Sequence, residues 1–148
     1  MTRLAALAAV LALAVPATAA ARPIHAAVVG GSDATIADWP FMAALVVHGQ
    51  SASDGQFCGA SVADSTHVIT AAHCVEGEKA SGIDVVVGRA RLGDDAGERV
   101  RVAGIAVEPR YDNETNSHDI AILTLAGEVS AAAVVPAGPN DSELDNAG

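Results

Sequence analysis

Short apolar runs rich in Val, Ile, Leu and Ala recur along the middle of this chain, separated by Gly, Asp, Asn and Ser. Six of them read as strands: 41–48, 56–62, 66–70, 83–89, 100–107 and 120–125. The connectors carry turn chemistry, notably Ser53-Asp54-Gly55, Ala63-Asp64-Ser65, Gly77 and Gly93-Asp94-Asp95. No helical period persists through this region. Many short strands at even spacing predict an all-β sandwich or barrel, and six strands suffice for one small closed barrel filled by side chains. After Ala126 the pattern fades. Residues 131–136 are apolar, but Pro136, Gly138 and Pro139 argue against a regular element, and 141–148 is polar.

The start of the chain has a different texture. Arg3 precedes an uncharged apolar run over 4–15, Pro16 breaks it, and Ala17-Thr18-Ala19 or Ala19-Ala20-Ala21 offers a small-residue cleavage site. This predicts a signal peptide over 1–20 and a short propeptide over 21–27, hence a secreted protein with no membrane attachment after cleavage. The alternative is an uncleaved N-terminal anchor. No other run is apolar enough, for long enough, to cross a bilayer.

Composition narrows the function. The 148 residues are 51% hydrophobic but only 3% aromatic, so the core must be aliphatic, and the net charge of −10 disfavours nucleic acid as a partner. Two cysteines, Cys58 and Cys74, lie in the exported part, where an even count argues for one disulfide. Such a bridge would close a loop worth roughly 3 kcal/mol in the chain-entropy model.

Chemistry concentrates at two strand ends. His73 lies in Thr70-Ala71-Ala72-His73-Cys74, and Asp119 opens Asp119-Ile120-Ala121-Ile122-Leu123. A carboxylate can accept the Nδ1 proton of an imidazole, fix its tautomer and stabilise the imidazolium, leaving Nε2 to take a proton from a nucleophile. Spacing alone does not bring the two together.

Five segments occur in a familiar order: Val28-Val29-Gly30-Gly31, Trp39-Pro40-Phe41, Cys58-Gly59-Ala60-Ser61, Thr70-Ala71-Ala72-His73-Cys74 and Asp119-Ile120-Ala121-Ile122-Leu123. The chain from Val28 onward resembles the N-terminal half of the trypsin/chymotrypsin-like serine proteases. The resemblance implies the first six-stranded antiparallel barrel of a two-barrel fold over 28–128, then the start of an interdomain linker over 129–148, with the C-terminal barrel absent. It implies His73 as general base and then general acid, Asp119 as its orienting carboxylate, and Cys58–Cys74 as the disulfide that staples the histidine loop. Val28 would be the N-terminus freed by activation. The implied activity is serine endopeptidase with a protein or peptide substrate and no cofactor or metal.

Two features depart from the family pattern. Ala27 precedes Val28 where a Lys or Arg is usual at the activation point, and Arg22 is followed by Pro23. The Gly-Asp-Ser-Gly-Gly motif that carries the nucleophile is not in the sequence, nor is a Gly-x-Ser-x-Gly elbow. Ser61 lies in a strand motif, and Ser65 and Ser117 in expected surface turns. The expectation is therefore a truncated chain, inactive alone, explained either by a partial gene model or frameshift or by complementation from a second polypeptide carrying the C-terminal half. The alternative is a noncatalytic half-protease that acts as a secreted binding module.

Plainer readings accompany these. Cys58 and Cys74 with His67 and His73 are zinc-ligand types, but export and spacing favour the disulfide. His25, His48, His67 and His118 read as exposed or structural, and Glu76, Glu78, Asp94 and Asp95 as solvated loop charges. Asn113-Glu114-Thr115 and Asn140-Asp141-Ser142 match the glycosylation sequon and read as ordinary turn residues.

Overall fold

A computed structural model describes residue 31, residues 34–135 and residues 137–138. The expected signal peptide, propeptide and Val28 lie outside the described residues. Six strands form: β1 (Met42–Val47), β2 (Gln56–Asp64), β3 (His67–Thr70), β4 (Ile83–Val87), β5 (Glu98–Val107) and β6 (Ala121–Leu125). All pairings are antiparallel, and the sheet closes on itself in the order β1-β2-β3-β6-β5-β4. The fold is thus the all-β, closed six-stranded barrel the sequence predicts. Among the described residues no helix is long and apolar enough to cross a membrane.

Alternation along the strands builds the core. Leu45, Val62, Val68, Val85, Leu123 and Leu125 point inward and are buried, with Ile83, Val87 and Val102 beside them. β6 shows the period plainly, with Ala121, Leu123 and Leu125 buried and Ile122 and Thr124 exposed. β4 breaks it, because all five of its residues are buried. Its outward Val86 joins Ala44, Val46 and Ala52 in a second small cluster, capped by Leu92. Ala52 belongs to α1 (Ala52–Gly55), a single turn whose N-cap Ser51 accepts a hydrogen bond from the Asp54 amide.

β4 and β5 are joined through Gly88 and Gly97, with φ of +73° and +72°. A Cβ on Gly97 would run into the Val87 carbonyl, so this close approach requires glycine. β5 therefore begins at Glu98, which pairs with Val87, two residues before the apolar run suggests. Beyond β6 the chain stays on the barrel. Val129 is buried in the core and its amide donates to the Ser65 carbonyl, and Val134 donates to Val62 at 2.7 Å.

Barrel closure positions the chemistry. Strands β3 and β6 are far apart in sequence yet pair in register, with Thr70 opposite Ala121. Whatever follows Thr70 and whatever precedes Ala121 must meet at the same rim.

Candidate active site

His73 sits three residues past the end of β3, in a single 3-10 turn, η1 (Ala72–Cys74). Ala72 is fully buried, which anchors the turn against the core. Cys74 is bonded to Cys58 of β2, so the residue after His73 is tied to a neighbouring strand (Cα–Cα 6.2 Å). Thr70 adds a third tie, its buried hydroxyl donating to the Gly59 carbonyl at 2.8 Å. Ala71 has extended backbone and makes no side-chain cap, so the disulfide and the buried methyl hold the loop rather than helix capping.

Asp119 approaches from the other side of the rim. The loop before it is set by Asp112, which accepts from the Glu114 amide and from the Thr115 hydroxyl. Asn116 and His118 take positive φ, 53° and 56°. The Ile120 amide donates to the His118 carbonyl, making a three-residue turn centred on Asp119. With that turn β6 begins one residue later than the sequence predicts, so Ile120 lies outside it.

The two residues meet. Asp119 Oδ1 accepts the His73 backbone N–H at 2.9 Å, and Oδ2 lies 2.6 Å from His73 Nδ1. These contacts, the backbone one first, hold the Asp119 carboxyl below the usual carboxylate range against the opposing effect of desolvation. Asp119 is therefore ionised at neutral pH and can only accept, which assigns the proton to Nδ1 and leaves a lone pair on Nε2 of the neutral ring. The His73 side chain is 55% exposed and that of Asp119 23%, so the outer face of the imidazole is open to solvent. Among the described residues nothing hydrogen-bonds to Nε2. Ser61 lies in β2, Ser65 in the β2–β3 turn, and Ser117 bridges to Asp112.

The cysteine–histidine set divides. Cys58, His73 and Cys74 cluster, with ligand atoms within 4.8 Å of one another, but the two sulfurs are joined to each other. His67 is elsewhere, its Nδ1 held by Asp64 at 3.0 Å in the β2–β3 turn. Sequence reasoning missed a further group. His48 Nδ1 lies 3.0 Å from buried Asp84, whose Oδ2 also accepts from Arg99 Nε at 2.8 Å. An acid inside the apolar run Ile83-Asp84-Val85 was the available signal. The backbone grip of Asp119 on His73 left no sequence trace.

The comparisons with known proteins point to one family. The Trypsin family model matches residues 28–147. A trypsin from Saccharopolyspora erythraea is 37% identical over 116 residues, covering 78% of this chain and 49% of that protein. The VesB protease of Vibrio cholerae superposes with a TM-score of 0.72 at 38% identity, covering 76% of this chain and 35% of that one. The secreted serine protease VesC of the same organism gives 0.69 at 32%, covering 76% and 24%. The chain spans about half the length of the S. erythraea trypsin, or less of these other proteins. A closed antiparallel barrel with a disulfide-stapled histidine facing an aspartate, matched along most of its length, places this chain in the trypsin family.

Proposed function

We propose that this chain carries the proton-handling half of a secreted serine endopeptidase, with His73 as the base and Asp119 as its orienting carboxylate. The observation that supports this most is the double acceptance by Asp119 of the His73 backbone N–H and ring N–H. That arrangement fixes both the position of the imidazole and its tautomer. The nucleophile is a serine from a segment these 148 residues do not carry.

The reaction follows from the geometry. As the serine oxygen attacks the peptide carbonyl carbon, His73 Nε2 takes the serine proton. The ring becomes an imidazolium, and the adjacent Asp119 carboxylate stabilises its charge. The same proton then passes to the leaving amine as the C–N bond breaks, leaving an acyl-enzyme. Water then attacks the acyl carbon and gives a proton to Nε2, and as the ester C–O bond breaks that proton passes to the serine oxygen, releasing the acid and restoring the neutral ring. The hydrogen-bond donors for the oxyanion would come from the same segment as the serine.

The surface supports a docked second half. Ile120 and Ile122, next to Asp119, are 46% and 45% exposed. With Ala106, Val107 and Pro109 they line an apolar groove. Val28 remains the proposed activation N-terminus.

Labelling with a serine-directed phosphonate tests the reading. The chain alone should take no label. Co-folded with a second barrel that carries a Gly-Asp-Ser-Gly-Gly motif, it should yield label on that serine, and His73→Ala should slow labelling by orders of magnitude. Labelling of the chain alone, or labelling indifferent to His73, would overturn it.

A further inference from the structure

We propose that His118 is a positioning residue, whose left-handed backbone rather than its imidazole aims the Asp119 carboxylate at His73. Its effect on the His73 ring stands by itself; only its effect on rate rests on the peptidase reading. The chain has little room to make this turn. Ser117 is fixed, because its carbonyl accepts the Asp112 amide at 3.1 Å and the two residues form an isolated antiparallel bridge. Ile120 is fixed, because its carbonyl accepts the Glu108 amide at 3.0 Å, just past the end of β5. Only His118 and Asp119 lie between these points, and each residue has only φ and ψ to turn with. His118 takes φ of 56°, and its carbonyl accepts the Ile120 amide at 2.8 Å across Asp119. That closure sets the direction of the Asp119 side chain, whose two oxygens then reach the His73 backbone N–H and Nδ1 at 2.9 Å and 2.6 Å.

The residue type at 118 is therefore constrained through the backbone. In the left-handed region a Cβ crowds the following carbonyl oxygen. Glycine escapes that clash, Asn, Asp and His tolerate it, and β-branched residues do not. The His118 imidazole is exposed and makes no side-chain hydrogen bond among the described residues. Its field reaches Glu108, a carboxylate that Arg110 already pairs. Neither contact of Asp119 with His73 involves it. A β-branched residue at 118 would leave the left-handed region and turn its carbonyl away from the Ile120 amide. Asp119 would swing off His73, and the ring would lose the acceptor that fixes its tautomer. The same loop holds a control. Asn116, with φ of 53°, lies on the other side of the Ser117 bridge, so strain there is taken up before that fixed point.

The test reads two signals from His73 in the chain itself: the ¹⁵N shifts of its ring and the hydrogen exchange of its backbone amide. His118→Gly and His118→Asn should keep the ring proton on Nδ1 and the amide protected. His118→Val should move the proton toward Nε2 and speed exchange of the His73 amide, while the amides of β3 and β6 stay protected. Asn116→Val should lower the melting temperature and leave both His73 signals in place. With a co-folded second barrel, His118→Val should slow phosphonate labelling by about 100-fold, the loss that a misplacement of about 1 Å brings. Added to Asp119→Asn, which already removes the acceptor, it should slow labelling no further. If His118→Val does not fold, His118→Ala gives the same pattern at smaller amplitude. Unchanged His73 signals in both His118→Val and His118→Ala, equal changes in His118→Gly and His118→Val, equal changes from Asn116→Val, or a further slowing in the double variant would each overturn the proposal. Labelling indifferent to His73 would instead overturn the peptidase reading and leave the ring and amide results standing.

Discussion

Three histidine–aspartate pairs lie among the described residues, and two of them differ sharply in what else the carboxylate holds. Asp84 is almost fully buried and accepts from two side chains, His48 at 3.0 Å and the Arg99 guanidinium at 2.8 Å. Arg99 also donates to the carbonyls of Gln50 and Val47, so the group laces β5 to β4, the end of β1 and the loop after it. Its charge is already compensated, and its work is architectural. Asp119 has no Lys or Arg within ion-pair distance among the described residues, and both of its oxygens go to His73. An unshared carboxylate beside a half-exposed imidazole has its full charge available when that ring gains a proton. The same two residue types thus make a strut in one place and, in the proposed mechanism, an orienting carboxylate for the base in the other.

That contrast can be broken most sharply at Asp119. Under the proposed mechanism, with the second half supplied, Asp119→Asn should lower kcat by about 10⁴-fold, the size of the corresponding change in serine proteases, because the amide no longer enforces the Nδ1–H tautomer. Melting should be little affected. Asp84→Ala should do the reverse. It leaves the Arg99 guanidinium partly buried and unpaired, which costs about 3–5 kcal/mol in denaturant unfolding, while the His73 ring environment stays as it was. If Asp84→Ala and Asp119→Asn cost similar stability, the distinction between strut and orienting carboxylate fails.

Smaller effects refine it. The His73 loop is tied by a disulfide, whereas His48 continues directly from β1. Replacing both Cys58 and Cys74 by Ala should cost about 3 kcal/mol from loop closure, and should broaden the His73 resonances but not those of His48. The smallest effect lies at Asp64, the third carboxylate paired with a histidine. The Thr66 amide first, then His67, lower its pKa from 3.8 to about 2. A group lowered on folding stabilises the native state above its unfolded value and loses that contribution as pH falls through the folded one. Stability should therefore decline between about pH 4 and pH 2, and Asp64→Asn should flatten the curve in that window. Asp119, also lowered, behaves with the same sign.

Much of the barrel was legible because period-two alternation is a local signal. Ala121, Leu123 and Leu125 face inward as their pattern requires. Boundaries were less legible. Phe41 reads as strand but lies in a turn, where its carbonyl accepts the Val62 amide. Ile120 reads as strand but closes the turn that aims Asp119. The site residues could be named from their motifs, yet their meeting could not be read from spacing, because it depends on β3 pairing with β6 across the closed barrel. The Asp84 group depends likewise on three strands converging, and only an acid within an apolar run hinted at it.

The most direct measurement is the ¹⁵N spectrum of the His73 imidazole in the chain at a pH where the ring is neutral. A protonated Nδ1 and a bare Nε2 are expected, with Asp119→Asn shifting the proton toward Nε2 and Asp84→Asn leaving it in place. A neutral His73 that carries its proton on Nε2, or one indifferent to Asp119, would contradict it.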